Sequence, residues 1–221
     1  MPTPSSLPMV LGSRSPRRRE LLSLLVPSER IVILPPSDPH EPGFEGLHDD
    51  SSIQAQLRQI ATLKNQNVRH RAECPNAAWV LTADTTIVAG EPGQRVVLGQ
   101  PPERPDWPDT VRSWFQNYYL DRSHRALTAV VLTRSADSST PTTCEEWSTI
   151  VETEVAMHTG SPELVEWYLQ TGEPVGKAGG YALQGAGSVF ISQVTGSLSN
   201  VVGLPLEAVR QLLAATGAIA S

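Results

Sequence analysis

The sequence predicts an α/β fold with strands and helices interspersed along one chain. Three observations predict it. Short apolar, β-branched runs alternate with stretches whose apolar residues recur at helical spacing. Residues 125–133 and 146–157 read as two strands joined by a polar loop, Ser135 to Thr143, so a hairpin enters the sheet and the sheet is mixed. The length, 221 residues, suits one domain or two joined lobes, enough to bury a core without disulfide or metal staples.

Each element has a local reason. Met9-Val10-Leu11 is a short apolar strand ending at Gly12-Ser13. A helix follows at once: Ser15 caps it, Pro16 suits its first position, and Leu21, Leu22, Leu24 and Leu25 carry helical spacing. Residues 30–34 read as a buried strand, and 35–51 as a long Pro-, Gly- and Asp-rich loop. Ile53, Leu57, Ile60 and Ala61 mark one helical face. Residues 79–89 read as a strand, straight or bent at Asp84, and 90–106 as a second loop. Val111, Trp114, Phe115, Tyr118 and Tyr119 fit an amphipathic helix, and these aromatics, with Trp167 and Tyr168, are expected in the core. Ser161-Pro162-Glu163 starts a helix that Gly172 ends. A glycine-rich stretch follows, then a strand at 188–194, a turn at 195–200 and a last helix after Pro205.

Composition removes several classes of function. Seventeen basic against 23 acidic residues give a net charge of −6, which argues against a nucleic-acid binder or a membrane-surface binder. Cys74 and Cys144 are far apart, with no Cys-x-x-Cys pair, so a zinc ribbon or dithiol centre is not expected. The first residues lack the charged and apolar regions of a signal peptide, and no run approaches a membrane span. A soluble, cytoplasmic protein is expected. None of the five histidines has ligand spacing to another or to a cysteine, and no Gly-x-Ser-x-Gly elbow occurs.

Three stretches fit structure poorly by themselves. Arg17, Arg18 and Arg19 crowd the first turn of a helix, the end where the dipole already places positive charge. A bound anion resolves that conflict, with free N–H groups and guanidinium forks converging on phosphate; a solvated basic turn is the structural alternative. Asp84 stands inside an apolar strand, where a carboxylate needs a cation, several donors or a metal. It either serves chemistry or caps a bend. The run Gly176 to Gly187 holds repeated glycines, Lys177 and Gln184, which suits close approach to a phosphorylated ligand or a plain connecting turn. Together the three favour a nucleotide.

Five segments, Ser13–Leu22 (SRSPRRRELL), Ala83–Val88 (ADTTIV), Leu98–Pro101 (LGQP), Lys177–Gly185 (KAGGYALQG) and Gly196–Leu206 (GSLSNVVGLPL), resemble the Maf family of nucleoside triphosphate pyrophosphatases. The resemblance spans residues 9–213 and implies one domain with two lobes, with 1–8 and 214–221 as terminal extensions. It also implies an elongated fold similar to the inosine triphosphate pyrophosphatases, with a central mixed sheet and an interlobe cleft. The implied reaction cleaves a nucleoside triphosphate between its α- and β-phosphates with a divalent cation, Mg²⁺ or Mn²⁺. Dimers are common in the family, so a homodimer is an expectation.

By the same resemblance, Asp84 matches the proton acceptor and, with Glu41, is expected at the metal. Arg17, Thr85 and Gln184 match the positions tied to base choice, with the identities of the dTTP/UTP branch. Ser13 and Arg18 match the phosphate-binding turn, and Lys64 and Lys177 match lysines lining the cleft. Three departures stand out: Gln100 replaces a usual lysine, Gly176 a common aspartate, and the acidic stretch after the second strand reads Asp38-Pro39-His40-Glu41. A non-catalytic nucleotide sensor and a 7-methyl-GTP pyrophosphatase are the rival readings.

Overall fold

One seven-stranded sheet organises the chain. The structure, a computed structural model, describes residues 6–38, 41–102, 105–134 and 145–220. The loop Ser135 to Thr143, Cys144 and His40 lie outside the described residues. The strands are β1 (Met9–Leu11), β2 (Ile31–Ile33), β3 (Trp79–Ala89), β4 (Val96–Leu98), β5 (Ser123–Arg134), β6 (Glu145–Met157) and β7 (Ile191–Thr195). Their order is β2-β1-β3-β5-β6-β7, with β4 paired to the far end of β3. β1 runs parallel to β2 and β3; every other pairing is antiparallel, so the sheet is mixed, as the hairpin predicts.

Helices cover both faces. α1 (Pro16–Ser23) and α6 (Leu206–Ala215) bury Leu22, Val209 and Leu213 against Met9, Leu11, Leu81 and Ala83 on one face. α2 (Asp50–Arg69) lays the predicted stripe Ile53, Leu57 and Ala61 against Val88, Leu127, Ala129 and Val131 on the other. Further along the first face, α3 (Trp107–Trp114) and α4 (Pro162–Gln170) close a second cluster around Ile87, Ala126, Phe115, Tyr119 and Tyr168. Single strands run through both clusters. On β3, Ala83 belongs to the first cluster and Ile87 to the second, with Thr85 between them; on β5, Val130, Thr128 and Ala126 repeat the pattern. The boundary between the two apolar masses is therefore a row of threonines.

The helix starts follow their caps. Ser15 accepts from Arg18 N at 3.4 Å and Ser161 from Leu164 N at 3.2 Å, each with proline next. Residues outside the 9–213 span also pack onto the fold: Ala218 is buried, and Arg30 donates to both Leu7 O and Ala218 O.

Several expectations need correction. β2 is an edge strand, not a buried one; Ile33 is 39% exposed because only β1 flanks it. Of the two forms expected for 79–89, the straight one holds: β3 passes through Asp84 without a break. The 90–106 loop contains β4, too short to show a pattern. The aromatic helix starts at Trp107, directly after the 90–106 segment as expected, but its last turn, Phe115–Tyr119, is a wider π turn. Trp167 is exposed, since α4 turns Val165, Tyr168 and Leu169 inward instead. Residues Ala186–Phe190 form a 3-10 turn and the strand starts only at Ile191, because Glu173 takes the N–H groups of Ala186 and Gly187. The expected turn at 195–200 starts a short helix, α5 (Leu198–Val202), capped by Ser197.

Candidate active site

A notch in the sheet makes room for the site. β1 ends at Leu11, where Gly12 N still bonds Leu81 O at 2.9 Å, and the chain then turns away toward α1. β4 joins β3 only from Ile87. Residues 82–86 of β3 therefore have no strand on that edge. The notch lies beyond the carboxyl end of β1, at the point where β2 and β3 diverge to its two sides, a place where open α/β sheets bind ligands. Gly12 is needed at its floor: a Cβ there would lie 2.5 Å from Thr82 Cγ2. The resulting cavity measures about 600 Å³.

One wall is acidic. Asp84 reaches the α2 side of β3, where Lys64 meets it; Lys64 stands one turn after the buried Ile60 and Ala61. Lys64 Nζ lies 2.5 Å from Asp84 Oδ1 and 2.9 Å from Glu41 Oε2. Lys64 and Asp84 are only 14% and 15% exposed, so the pair is held in a largely desolvated place. One ammonium touching both carboxylates means that Asp84 and Glu41 reach a common point. Two carboxylates suit a hard divalent cation that completes its shell with phosphate oxygens and water. Among the described residues no group of three or more His, Cys, Asp or Glu side chains converges, so an all-protein metal cage is not built there.

The opposite wall is basic. α1 keeps its first-turn arginines with no acidic residue beside them. Arg17 lines the cavity and has no hydrogen-bond or ion-pair partner among the described residues. Arg18 is used internally: Nε donates to Gly203 O at 2.8 Å, Nη2 to Thr85 Oγ1 at 3.0 Å and Nη1 to Ser13 Oγ at 3.4 Å. Burial pushes its pKa down; Asp84 opposes the shift and Arg17 adds to it. Lys177 Nζ donates to Glu173 O at 2.6 Å. Its pKa is lowered by burial and then by Arg17, against the pull of Glu173. Arg17 and Lys177 thus repel each other on this wall, and an anion bound against both relieves that repulsion.

The glycine-rich loop is fastened from beneath. Tyr119 Oη donates to Gly179 O at 2.8 Å, Tyr168 Oη to Gly180 O at 3.0 Å, and His124 Nε2 meets Tyr181 Oη at 2.7 Å. Glu173 accepts from Ala186 N at 2.6 Å and Gly187 N at 2.9 Å, closing the loop that presents Lys177 and Gln184.

The cavity gathers every site residue expected from the sequence: Ser13, Arg17, Arg18, Glu41, Lys64, Asp84, Thr85, Lys177 and Gln184. Gln100 and Gly176 line it too. Gln184 is exposed at the rim, with no side-chain hydrogen bond among the described residues. Thr85 differs from a free side chain: its hydroxyl already meets Arg18 and lies 2.9 Å from Thr128 Oγ1. Sequence reading missed Thr128, Glu173, Tyr119 and His124. Thr128 reads as an ordinary strand residue until the β3–β5 register places it opposite Thr85.

Comparison with known proteins bears on this site. The family described as Maf-like protein matches residues 8–216. The chain is 37% identical over 209 residues to the dTTP/UTP pyrophosphatase of Anaeromyxobacter dehalogenans strain 2CP-1, covering 95% of this chain and 94% of that one. It is 36% identical over 211 residues to the dTTP/UTP pyrophosphatase of Symbiobacterium thermophilum, with the same coverage of 95% and 94%. Among solved structures, a HAM1 protein from Coxiella burnetii aligns with a TM-score of 0.41 and 14% identity, over 95% of this chain and 99% of that one.

Proposed function

The chain belongs to the Maf-like protein family, and from that premise we propose that it hydrolyses dTTP and UTP to the nucleoside monophosphate and pyrophosphate. One observation carries the reading: a single cavity sets Arg17, unpaired among the described residues, and a half-buried Lys177 against the Asp84–Lys64–Glu41 cluster. Cations on one side and carboxylates on the other suit a triphosphate attacked by water. The named relatives supply the base preference.

In this mechanism Arg17 and Lys177 hold the phosphate chain. Arg18 keeps the Ser13–Arg17 turn in place through Gly203, Ser13 and Thr85. Asp84 accepts a proton from the water that attacks the α-phosphorus, and Lys64 fixes the direction of that carboxylate. The bond from the α-phosphorus to the bridging oxygen breaks, and pyrophosphate leaves toward the cationic wall. Asp84 and Glu41 would hold a divalent cation, Mg²⁺ or Mn²⁺, which would add neutralisation of phosphate charge. Thr85 and Gln184 face the base, and a mismatched base leaves their polar groups without partners. The proposed setting is the cytoplasm, with a homodimer as the working assembly and no nucleic-acid partner. Among the described residues no helix is long and apolar enough to cross a membrane.

The test is pyrophosphate release with Mg²⁺ or Mn²⁺ from dTTP, UTP, CTP, dATP, GTP and 7-methyl-GTP, with Asp84→Asn in parallel. The expected result is turnover led by dTTP and UTP, lowered at least about 10²-fold in the variant while circular dichroism shows the fold retained. Near-normal turnover by Asp84→Asn removes Asp84 from the chemistry.

A further inference from the structure

We propose that Thr128, which does not line the cavity, sets base selectivity by dictating which way the Thr85 proton points. The inference rests on the nucleotide reading above and extends it to a residue beneath the site.

The argument is an accounting of hydroxyl protons. Thr128 is fully buried, and Thr85 Oγ1, at 2.9 Å, is its side chain's hydrogen-bond partner among the described residues. A buried hydroxyl proton left without an acceptor is costly, so Thr128 donates to Thr85. Arg18 Nη2 also donates to Thr85, since a guanidinium has no acceptor to offer. Both acceptor sites of the Thr85 oxygen are then filled. Its single proton remains, and the cavity wall of which Thr85 is part gives it somewhere to go. Within the protein that proton has one long, weak acceptor, Gly203 O at 3.5 Å, which also takes Arg18 Nε at 2.8 Å through its other lone pair; a ligand oxygen at the ordinary distance of about 2.7–2.8 Å outcompetes it. Thr85 is therefore fixed as a donor, and its proton passes from the weak Gly203 contact to the ligand. It recognises an acceptor oxygen: the 4-carbonyl of uracil or thymine, or an oxygen of the triphosphate.

Without the Thr128 hydroxyl, Thr85 regains a free acceptor position and can rotate to donate elsewhere. Thr128→Val keeps the branched shape within a strand between two apolar clusters and removes only the donor. Steady-state kinetics of wild type, Thr128→Val and Thr128→Ser are compared with UTP and with CTP, which carries an amine in place of the 4-carbonyl. We expect Thr128→Val to raise KM for UTP about five- to tenfold with kcat changed less than twofold, and Thr128→Ser to restore it. A fall in the UTP-to-CTP preference by the same factor assigns the proton to the base carbonyl. An equal loss on both nucleotides assigns it to the triphosphate and overturns base selection by Thr128. Wild-type kinetics in Thr128→Val on both substrates overturn the proposal while leaving the enzyme reading intact. Calorimetry with α,β-imido-UTP separates the two levels: binding by wild type weakened in Thr128→Val supports the proton assignment even without turnover. No binding and no turnover by wild type overturn both.

Discussion

His124 has no room to ionise. It is 2% exposed, its Nε2 lies 2.7 Å from Tyr181 Oη, and burial pushes its pKa down to about 3. In the unfolded chain the same ring titrates near pH 6.5. Between those values the unfolded state binds a proton that the folded state refuses, so the stability it contributes is complete above pH 6.5 and falls as the pH falls. The expected slope from this one group is about 1.4 kcal/mol per pH unit. Urea unfolding at pH 6, 5 and 4 should show a steeper fall in wild type than in His124→Gln, the difference approaching that slope at the lower pH values. Carboxyls such as Asp50 and Glu207, held low in the folded state, add the same slope to both proteins; equal slopes in the two proteins reject the prediction. At this scale the sequence speaks through misfits. Asp84 in an apolar strand and Arg17 in a helical first turn are visible because local physics disfavours them. Thr128 and His124 stand in a strand that tolerates either, so only pairing and burial reveal what they do.

At the scale of elements, the glycine-rich loop depends on one residue more than on its composition. Gly179 has φ +71°, and a Cβ there would lie 2.5 Å from Ile87 Cγ1 and 2.6 Å from Tyr119 Oη. Gly179→Ala combines backbone strain with overpacking against β3, and should cost about 2–4 kcal/mol in urea unfolding. Gly176→Ala, at φ +71° but with no atom within 4 Å of its Cβ, should cost about 1 kcal/mol. Equal losses would show that packing contributes nothing at Gly179. Elements whose ends are set within a few residues were legible: Ser15-Pro16 and Ser161-Pro162 start their helices as caps require. The 188–194 strand was misjudged because its start is set by Glu173, thirteen and fourteen residues before the N–H groups it binds.

For the whole molecule, the net charge of −6 and the basic cavity wall act in opposite senses. Long-range repulsion of an anionic substrate is screened by salt, as is the attraction of Arg17 and Lys177 at close quarters. The local term governs binding at these distances, so KM for dTTP should rise severalfold between about 0.05 and 0.5 M salt, with kcat nearly constant. A KM that falls with salt would show that the net charge governs. The class of fold was legible from local patterns, and so were some of the residues that line the cavity, such as Asp84, Arg17, Lys177 and Gln184; Glu41 and Lys64 entered only through the family resemblance, and the notch between β1 and β4 was legible in neither. It follows from two strand ends, Leu11 and Ile87, meeting the same neighbour at different heights.

The threading of both apolar clusters on β3 and β5 also has a mechanical consequence. β5 holds 12 residues, roughly 40 Å of unbroken strand, hydrogen-bonded on both sides for most of its length. Such a paired ribbon is a girder, and the two masses mounted on it are not separate plates joined by a pivot. Gripping and releasing a nucleotide then falls to loops and side chains lining the gap, while the girder fixes its span.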